Sequence, residues 1–249
     1  MINKKVYDYD DVKIAIEERY VSYEQEVFEP DLSFTLGTLR SELPIILCYN
    51  DPEGTSNLDE ICKGYGIISA GAPMSNIPFP FEGDDYGYKL FERFDPLRAE
   101  SVTEMKKMID GGDTLVIGCS TSARHAIALA SELQLMAAVL IGPTLPETTK
   151  RIDAIGLAVP RISLIEEISR KIDVPIIATG SNSTDICKAL VAGADAVLIH
   201  FGGPFEQNED LDFVLKSIVG AIRENLIELC RSSGAKTVRD LTLRCKLVT

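Results

Sequence analysis

Six short apolar runs predict buried strands, because each is too short for an ordinary helix and is apolar at consecutive positions. Most of them are followed by a segment in which apolar residues recur at helical spacing. Strands that are apolar on both faces and alternate with helices are typical of a parallel sheet covered by helices. The predicted strands are residues 43–48, 66–71, 114–119, 137–142, 174–180 and 196–201.

Predicted helices fill most of the intervals and the C-terminal part, at residues 58–63, 101–109, 122–134, 163–171, 184–192 and 213–230. Residues 72–100 differ, because they carry four prolines and predict a long loop with a seventh strand candidate at 88–94. The 249 residues contain no linker and match the usual size of one barrel. We therefore expect one α/β domain, residues 1–249, with a (β/α)8 TIM-type barrel fold. The strand count predicts a barrel that is reduced or irregular around its third and fourth strands.

Composition narrows the possible partners and the compartment. The formal net charge of -13 disfavours nucleic acid, because phosphate backbones are held by surplus Lys and Arg. The two histidines, His125 and His200, are too few for a multi-histidine metal site, and we expect no metal. No apolar run approaches the roughly 18 residues that span a bilayer, and the polar N-terminus does not resemble a secretory signal. We expect a cytoplasmic protein whose six cysteines, which include no CxxC pair, are free thiols.

Four segments, in the same order along the chain, resemble motifs of the IMP dehydrogenase/GMP reductase family. Residues 7–12 (YDYDDV) are similar to its opening (T/Y)-(F/Y)-D-D-V signature, and residues 141–150 (IGPTLPETTK) to I-G-P-G-S-x-C-T-T-R. Residues 176–181 (IIATGS) resemble V-I-A-D-G-G and lead to residues 185–197 (DICKALVAGADAV), similar to D-I-x-K-A-L-A-A-G-A-D-A-V. Residues 233–241 (SGAKTVRDL) resemble the closing G-A-K-T-I-x-E-L.

This resemblance implies a barrel, a homo-oligomer, a purine nucleotide as ligand, and NAD or NADP as cofactor. In this chain we expect no inserted regulatory domain. It lapses between about residues 72 and 112, where the family places its nicotinamide region. In the family a cysteine thiolate attacks the purine C2, and Glu147 stands at the matching position. Thr179 matches an aspartate that binds the ribose hydroxyls, and Ser181 matches a glycine of the phosphate-binding pair. The chain thus resembles a purine-nucleotide oxidoreductase whose nucleophile is missing, which argues against IMP oxidation by that route.

Candidate site residues lie where predicted strands end, as in barrel enzymes generally. The catalytic candidates are Glu147, Cys119 and His200. Backbone N–H groups of small residues at a helix start can bind a phosphate without surplus positive charge. The candidates for substrate or phosphate binding are Asp51, Gly142, Thr148, Thr179, Gly180, Ser181, Asn182, Gly202 and Gly203.

Each candidate also has a structural interpretation. The glycines can serve tight turns, His200 can be a hydrogen-bonded rim residue, Cys119 a small buried side chain and Glu147 a solvated carboxylate. Three functions therefore stay open. The first is a nicotinamide-dependent purine-nucleotide oxidoreductase; the second is a non-catalytic or repurposed relative that binds a phosphorylated small molecule or a partner protein. The third is a barrel isomerase or lyase with Glu147 or His200 as acid and base.

Overall fold

The computed structural model describes residues 7–17, 28–36, 39–50, 58–72, 116–120, 137–141, 161–201 and 211–249. In these residues the chain forms strands and helices in a mixed α/β arrangement. The strands are β1 (Lys13–Ile16), β2 (Phe34–Leu36), β3 (Leu39–Ser41), β4 (Ile45–Asn50), β5 (Ile68–Ala72), β6 (Val116–Ser120), β7 (Ala137–Ile141), β8 (Ile176–Gly180), β9 (Ala196–Phe201) and β10 (Cys245–Val248). The helices are α1 (Leu58–Gly64), α2 (Arg161–Ile168), α3 (Ser183–Ala192), α4 (Leu211–Ser233) and α5 (Leu241–Arg244).

Six strands form one parallel sheet in the order β5-β4-β9-β8-β7-β6. All six are strands that the apolar runs predict. Among the described strands of this sheet, the last along the chain, β9, lies beside the first, β4, which is the pairing that a closed (β/α)8 barrel requires. The outer strands are β5 and β6, and residues 73–115 between them lie outside the described residues. The eight-stranded barrel, and its irregularity near the third and fourth strands, therefore stay predictions.

The main core lies between this sheet and helices α2, α3 and α4. Alternate strand residues enter it, because successive side chains of a strand point to opposite faces. Each large apolar side chain buried in this way stabilises the fold by about 1.5–3 kcal/mol relative to an exposed one. Members that are at most 2% exposed include Ile45, Leu47, Ile176, Ala178 and Val197 of the strands and Ile165, Ile186, Leu190 and Leu226 of the helices.

The opposite face of the sheet is buried as well. Ile46, Ile177 and Ala196 are 0% exposed and Leu198 is 5% exposed, although none of them belongs to the helix-side core. A sheet that is buried on both faces explains why the sequence shows continuous apolar runs rather than alternation. The inner face of a small barrel is filled by side chains in the same way.

Helix α3 is defined at both ends by side-chain and backbone caps. The Asn182 side chain accepts a hydrogen bond from the Asp185 backbone N–H at 2.9 Å, which satisfies one of the free donors of the first turn. Gly193 ends the helix with φ +112°, a left-handed conformation that favours glycine. A side chain at Gly193 would also meet Ser169, whose Cβ is 2.7 Å from the position of a Cβ there.

Asp195 ties the amino ends of β8 and β9 together. Its carboxylate accepts the Ile176 N–H at 2.9 Å, and its own N–H donates to the Ile176 carbonyl at 2.8 Å. The Val197 N–H donates to the Pro44 carbonyl at 2.9 Å and fixes β9 against the start of β4. The motif from Gly193 to Val197 therefore has a structural role at the amino edge of the sheet.

Residues near the two ends of the described chain pair with each other. β1 and β10 are antiparallel, with Lys13 opposite Val248 and Ile16 opposite Cys245. β2 and β3 form a separate antiparallel pair. The sequence did not predict these four strands. Each has three or four residues, and the pairing of β1 with β10 spans most of the chain.

The predicted helices agree with the structure wherever it describes them. The predictions 58–63, 163–171, 184–192 and 213–230 correspond to α1, α2, α3 and α4, with ends that differ by up to three residues. The predicted helices 101–109 and 122–134 and the strand candidate 88–94 lie outside the described residues. Within the part of the chain that the structure covers, no helix combines the length and the apolar character needed to cross a membrane.

Candidate functional site at the carboxyl edge of the sheet

The carboxyl ends of the parallel strands lie at one edge of the sheet, as the candidate site requires. Cys48 of β4 pairs with His200 of β9, and Gly180 of β8 pairs with Ile199 of β9. Cys119 pairs with Leu140, so β6 and β7 end at the same edge. The ends of β4, β9 and β8 are thus direct neighbours, and this is where open parallel sheets and barrels bind ligands.

Thr179, the penultimate residue of β8, has two different oxygen environments. Its backbone carbonyl accepts a hydrogen bond from the Tyr9 hydroxyl at 2.7 Å. Its side-chain Oγ1 is shielded from solvent and has no hydrogen-bond partner among the described residues, although the residue as a whole is partly exposed. A buried polar atom without a partner is uncommon in a native fold, because its desolvation is not compensated.

Close packing surrounds Gly180. A Cβ at this position would lie 3.0 Å from Val197 Cγ1 and 3.3 Å from Asp185 Cβ, so a side chain would force its neighbours to move. This contact accounts for the glycine without any ligand. Packing alone therefore explains a glycine at position 180, and phosphate binding is not needed to explain it.

The turn between β8 and α3 is closed by its own side chains. The Ser181 N–H donates to the Asp185 Oδ2 at 3.1 Å, while Asn182 caps the Asp185 N–H from the other side. Asp185 is 8% exposed. The sequence predicted Gly180, Ser181 and Asn182 as phosphate-binding, and the structure brings them together, but the Ser181 N–H is already paired with a carboxylate.

Tyr9 fixes the N-terminal segment against this end of the sheet. It is 1% exposed, and its carbonyl accepts the Lys188 ammonium at 2.7 Å while its hydroxyl reaches Thr179. Next to it, the Tyr7 N–H donates to the Ser163 hydroxyl at 2.6 Å. The sequence indicated this segment through its family resemblance alone and predicted no role for Tyr9, Lys188 or Asp185. Their motif positions were the available signal.

Most of the other predicted site residues lie outside the described part of the chain. Asp51, Gly142, Glu147, Thr148, Gly202 and Gly203 lie outside the described residues. Cys119 lies on β6, where its backbone pairs with Leu140 of β7. His200 lies on β9, where its backbone pairs with Cys48 of β4. The region that the resemblance assigns to a nicotinamide, about 72–112, lies outside the described residues except for Ala72.

A pocket of about 300 Å³ lies at the opposite, amino edge of the sheet. Both acidic side chains that line it, Asp31 and Asp195, are hydrogen-bonded within the protein. The Asp31 carboxylate accepts a hydrogen bond from the Ser33 backbone N–H. Hydrogen bonding from the Ser33 side chain and backbone holds the pKa of the Asp31 carboxyl below its usual value. Asp195 binds the start of β8, and Arg239 lies 3.7 Å from it. We interpret this pocket as a structural junction.

Cys187 and Cys230 are unsuited to nucleophilic chemistry. Cys187, Cys230 and Cys245 are free thiols, as expected, and all three are buried, as is Cys62. Burial raises the pKa of Cys187 to about 11 and that of Cys230 to about 12, so both stay protonated at neutral pH. Among the described residues, no group of three or more His, Cys, Asp or Glu side chains is arranged to hold a metal ion.

Comparison with known proteins gives one informative match. No protein-family model matches the chain. Over 106 residues the chain is 35% identical to inosine-5′-monophosphate dehydrogenase of Methanocaldococcus jannaschii, and the match covers 40% of this chain and 21% of that protein. The chain therefore matches about a fifth of the length of that relative. This similarity supports a relationship to IMP dehydrogenase, in agreement with the motifs.

Proposed function

We propose that this protein is a TIM-type barrel related to IMP dehydrogenase that binds a purine nucleotide or nucleoside at the carboxyl edge of its parallel sheet. We further propose that it does not oxidise IMP through a cysteine adduct, because Glu147 stands where that chemistry needs a thiolate. The similarity to the Methanocaldococcus jannaschii protein supports the relationship, and the pairing of β9 with β4 supports the barrel.

The Thr179 hydroxyl is the observation that carries the binding proposal. Its oxygen has no hydrogen-bond partner among the described residues. It lies near the carboxyl end of β8, beside the carboxyl end of the neighbouring strand β9. A ribose hydroxyl that displaces the atoms covering Oγ1 would supply the missing hydrogen bond. Such a bond contributes roughly 0.5–1.5 kcal/mol, enough to select a polyhydroxyl ligand over an apolar one.

Binding is tested by thermal shift and isothermal titration calorimetry of the full chain with IMP, GMP, inosine and guanosine, and with adenine as a base without ribose. We expect at least one ribose-containing purine to raise the melting temperature in a concentration-dependent way, because a ligand that binds the native state stabilises it. Adenine should have a smaller effect. If no purine compound shifts the melting temperature at millimolar concentration, the proposal is wrong.

Nicotinamide-dependent oxidation or reduction of a purine nucleotide is the second candidate, and the similarity to an IMP dehydrogenase favours it. It is tested by following absorbance of the reduced nicotinamide with IMP and NAD, and with GMP and NADPH. Turnover that tracks the protein through purification would support an oxidoreductase. Binding without turnover at high protein concentration would leave the binding function alone.

A further inference from the structure

We infer that Cys48 and His200 form a thiol–imidazole pair at the carboxyl edge of the sheet, and that this pair makes Cys48 a nucleophile toward a ligand with an electrophilic carbon. The strand register carries the inference, because β4 and β9 run parallel with Cys48 opposite His200. The inference does not require a purine ligand. Cys48 also lies outside residues 141–150, the segment that resembles the cysteine motif of the family.

Register and alternation place both residues on the inner face of the sheet. Partners in a parallel register share a face, and successive residues of a strand alternate between faces. Ile46 and Leu198 are partners on the face opposite the helices, where they are 0% and 5% exposed. Cys48 and His200 each lie two residues further along the same strands. They are therefore neighbours on that face, on strands roughly 4.8 Å apart.

The sheet contains few other groups that exchange protons. Within their described bounds, the six parallel strands contain no Asp, Glu, Lys or Arg. Besides the pair, their titratable residues are Cys119 and Tyr49. The register places Cys119 of β6 on the inner face, through Leu140 and Ile177, whereas Tyr49 alternates to the opposite face of β4. The imidazole of β9 is thus the one basic group that these strands place beside the thiol of β4.

An imidazole beside a thiol increases the fraction of thiolate, because the imidazolium that forms on proton transfer stabilises the negative sulfur. The thiolate is the nucleophilic form, and a free cysteine has only a few per cent of it near neutral pH. The pair lies at the edge where parallel sheets and barrels bind their ligands. Position and chemistry therefore agree.

Thr179 is an independent sign that polar chemistry belongs on this face. It is the register partner of Leu198, so it lies on the inner face of β8, one pleat below His200 on the adjacent strand. Its Oγ1 is shielded from solvent and has no hydrogen-bond partner among the described residues. A ligand that reached this hydroxyl would lie at the same mouth as the pair.

Alkylation by iodoacetamide follows the chemistry that the pair would perform on a carbon electrophile. His200 takes the thiol proton, the sulfur forms a bond to the methylene carbon, and the carbon–iodine bond breaks to release iodide. The imidazolium then returns its proton to solvent. The reaction needs no oxidant or reductant.

The rate at which iodoacetamide modifies Cys48 in the full chain, followed by peptide mass spectrometry, tests the pair. At pH 6.5 we expect His200→Gln to slow this reaction about tenfold, because the loss of thiolate outweighs the gain in its intrinsic nucleophilicity. At pH 9.5 the rates should be similar, since an ordinary thiol is then ionised as well. A change in access alone would alter both rates by the same factor. His125→Gln removes the other histidine of the chain and should leave both rates unchanged.

The unmodified protein gives a test that needs no variant. At pH 6.5, Cys48 should react about fivefold faster in the native protein than in urea, where the pair is lost. A slower reaction in the native protein overturns the inference, and so does an equal loss of rate at both pH values in His200→Gln. Fast modification of Cys48 in a protein that binds no purine would support the pair and overturn the proposed function. Purine binding with a slow Cys48 would do the reverse.

Discussion

Replacing Thr179 with valine tests whether its hydroxyl hydrogen-bonds a ligand or a group within the fold. Valine keeps the β-branched shape that suits a strand and exchanges the hydroxyl for a methyl group. A buried hydroxyl without a partner costs about 1–3 kcal/mol of desolvation. We therefore expect Thr179→Val to raise the free energy of unfolding of the ligand-free protein by about 1 kcal/mol, at the low end of that range.

The stability effect is measurable by urea denaturation and by calorimetry. For a chain of this size, about 1 kcal/mol corresponds to a rise of about 2–4 °C in melting temperature. Thr237→Val is the matched control, because the Thr237 hydroxyl accepts the Asp240 N–H at 3.3 Å and closes the capping box of the short helix Val238–Asp240. Loss of that cap should lower the free energy of unfolding by about 0.5–2 kcal/mol. The two threonine substitutions should thus act in opposite directions.

Ligand binding gives the second half of the test. If the hydroxyl contacts the ribose, Thr179→Val should weaken binding of the best purine ligand by about tenfold, the free-energy equivalent of about 1.4 kcal/mol. A variant that is less stable than the unmodified protein would refute the reasoning, because it would show that Oγ1 has a partner in the fold. Unchanged affinity would show that the ligand does not contact it.

Three further predictions concern the surroundings of the site. Gly180→Ala should lower the free energy of unfolding by about 1–3 kcal/mol, because its Cβ would lie 3.0 Å from Val197 Cγ1. At Gly220 in α4, a Cβ would meet no neighbouring atom within 4 Å. Gly220→Ala should therefore raise the free energy of unfolding by about 0.5–1 kcal/mol in the same denaturation assay. Desolvation raises the pKa of Asp195, so its ionisation opposes folding as the pH rises from about 4 to 7. The free energy of unfolding of Asp195→Asn, relative to that of the unmodified protein, should therefore increase over that interval. A decrease would contradict this prediction. Iodoacetamide at pH 8 should modify Cys230 only upon unfolding, because the residue is 0% exposed and the pKa of its thiol is about 12. Rapid labelling of Cys230 in the native protein, detected by peptide mass spectrometry, would contradict this prediction.

The parallel strands were predictable because their signal is local. A run such as Ile45-Ile46-Leu47 is buried on both faces, so every position is apolar and the strand is evident without knowledge of its neighbours. Helix α3 was predictable for a similar reason, since a capping Asn182 and a terminating Gly193 frame its apolar stripe. In contrast, β1 and β10 are four residues each and pair across most of the chain, so no local pattern announces them.

At the candidate site the strand ends were predictable, whereas the hydrogen bonds of the turn were not. The strand ends were identified correctly, and residues 180–182 do form the turn between β8 and α3. What sequence reasoning could not supply was the pairing of the Ser181 N–H with Asp185, because a capping residue and a ligand-binding residue look alike until the path of the turn is known. The Tyr9 contact with Thr179 joins residues 170 positions apart and depends on the tertiary fold.

The motifs that resemble IMP dehydrogenase divide into structural and chemical parts, and the structure accounts for the structural ones. Gly193 ends a helix, Asp195 joins two strands, Thr237 caps a short helix and Tyr9 fastens the N-terminal segment to the sheet. Each of these roles concerns the fold and would be needed whatever the ligand. The chemical part differs at Glu147, Thr179 and Ser181, the positions that the resemblance assigns to substrate contacts. Similarity concentrated in the first group is a physical reason to expect the same fold, whereas it gives no reason to expect the same reaction.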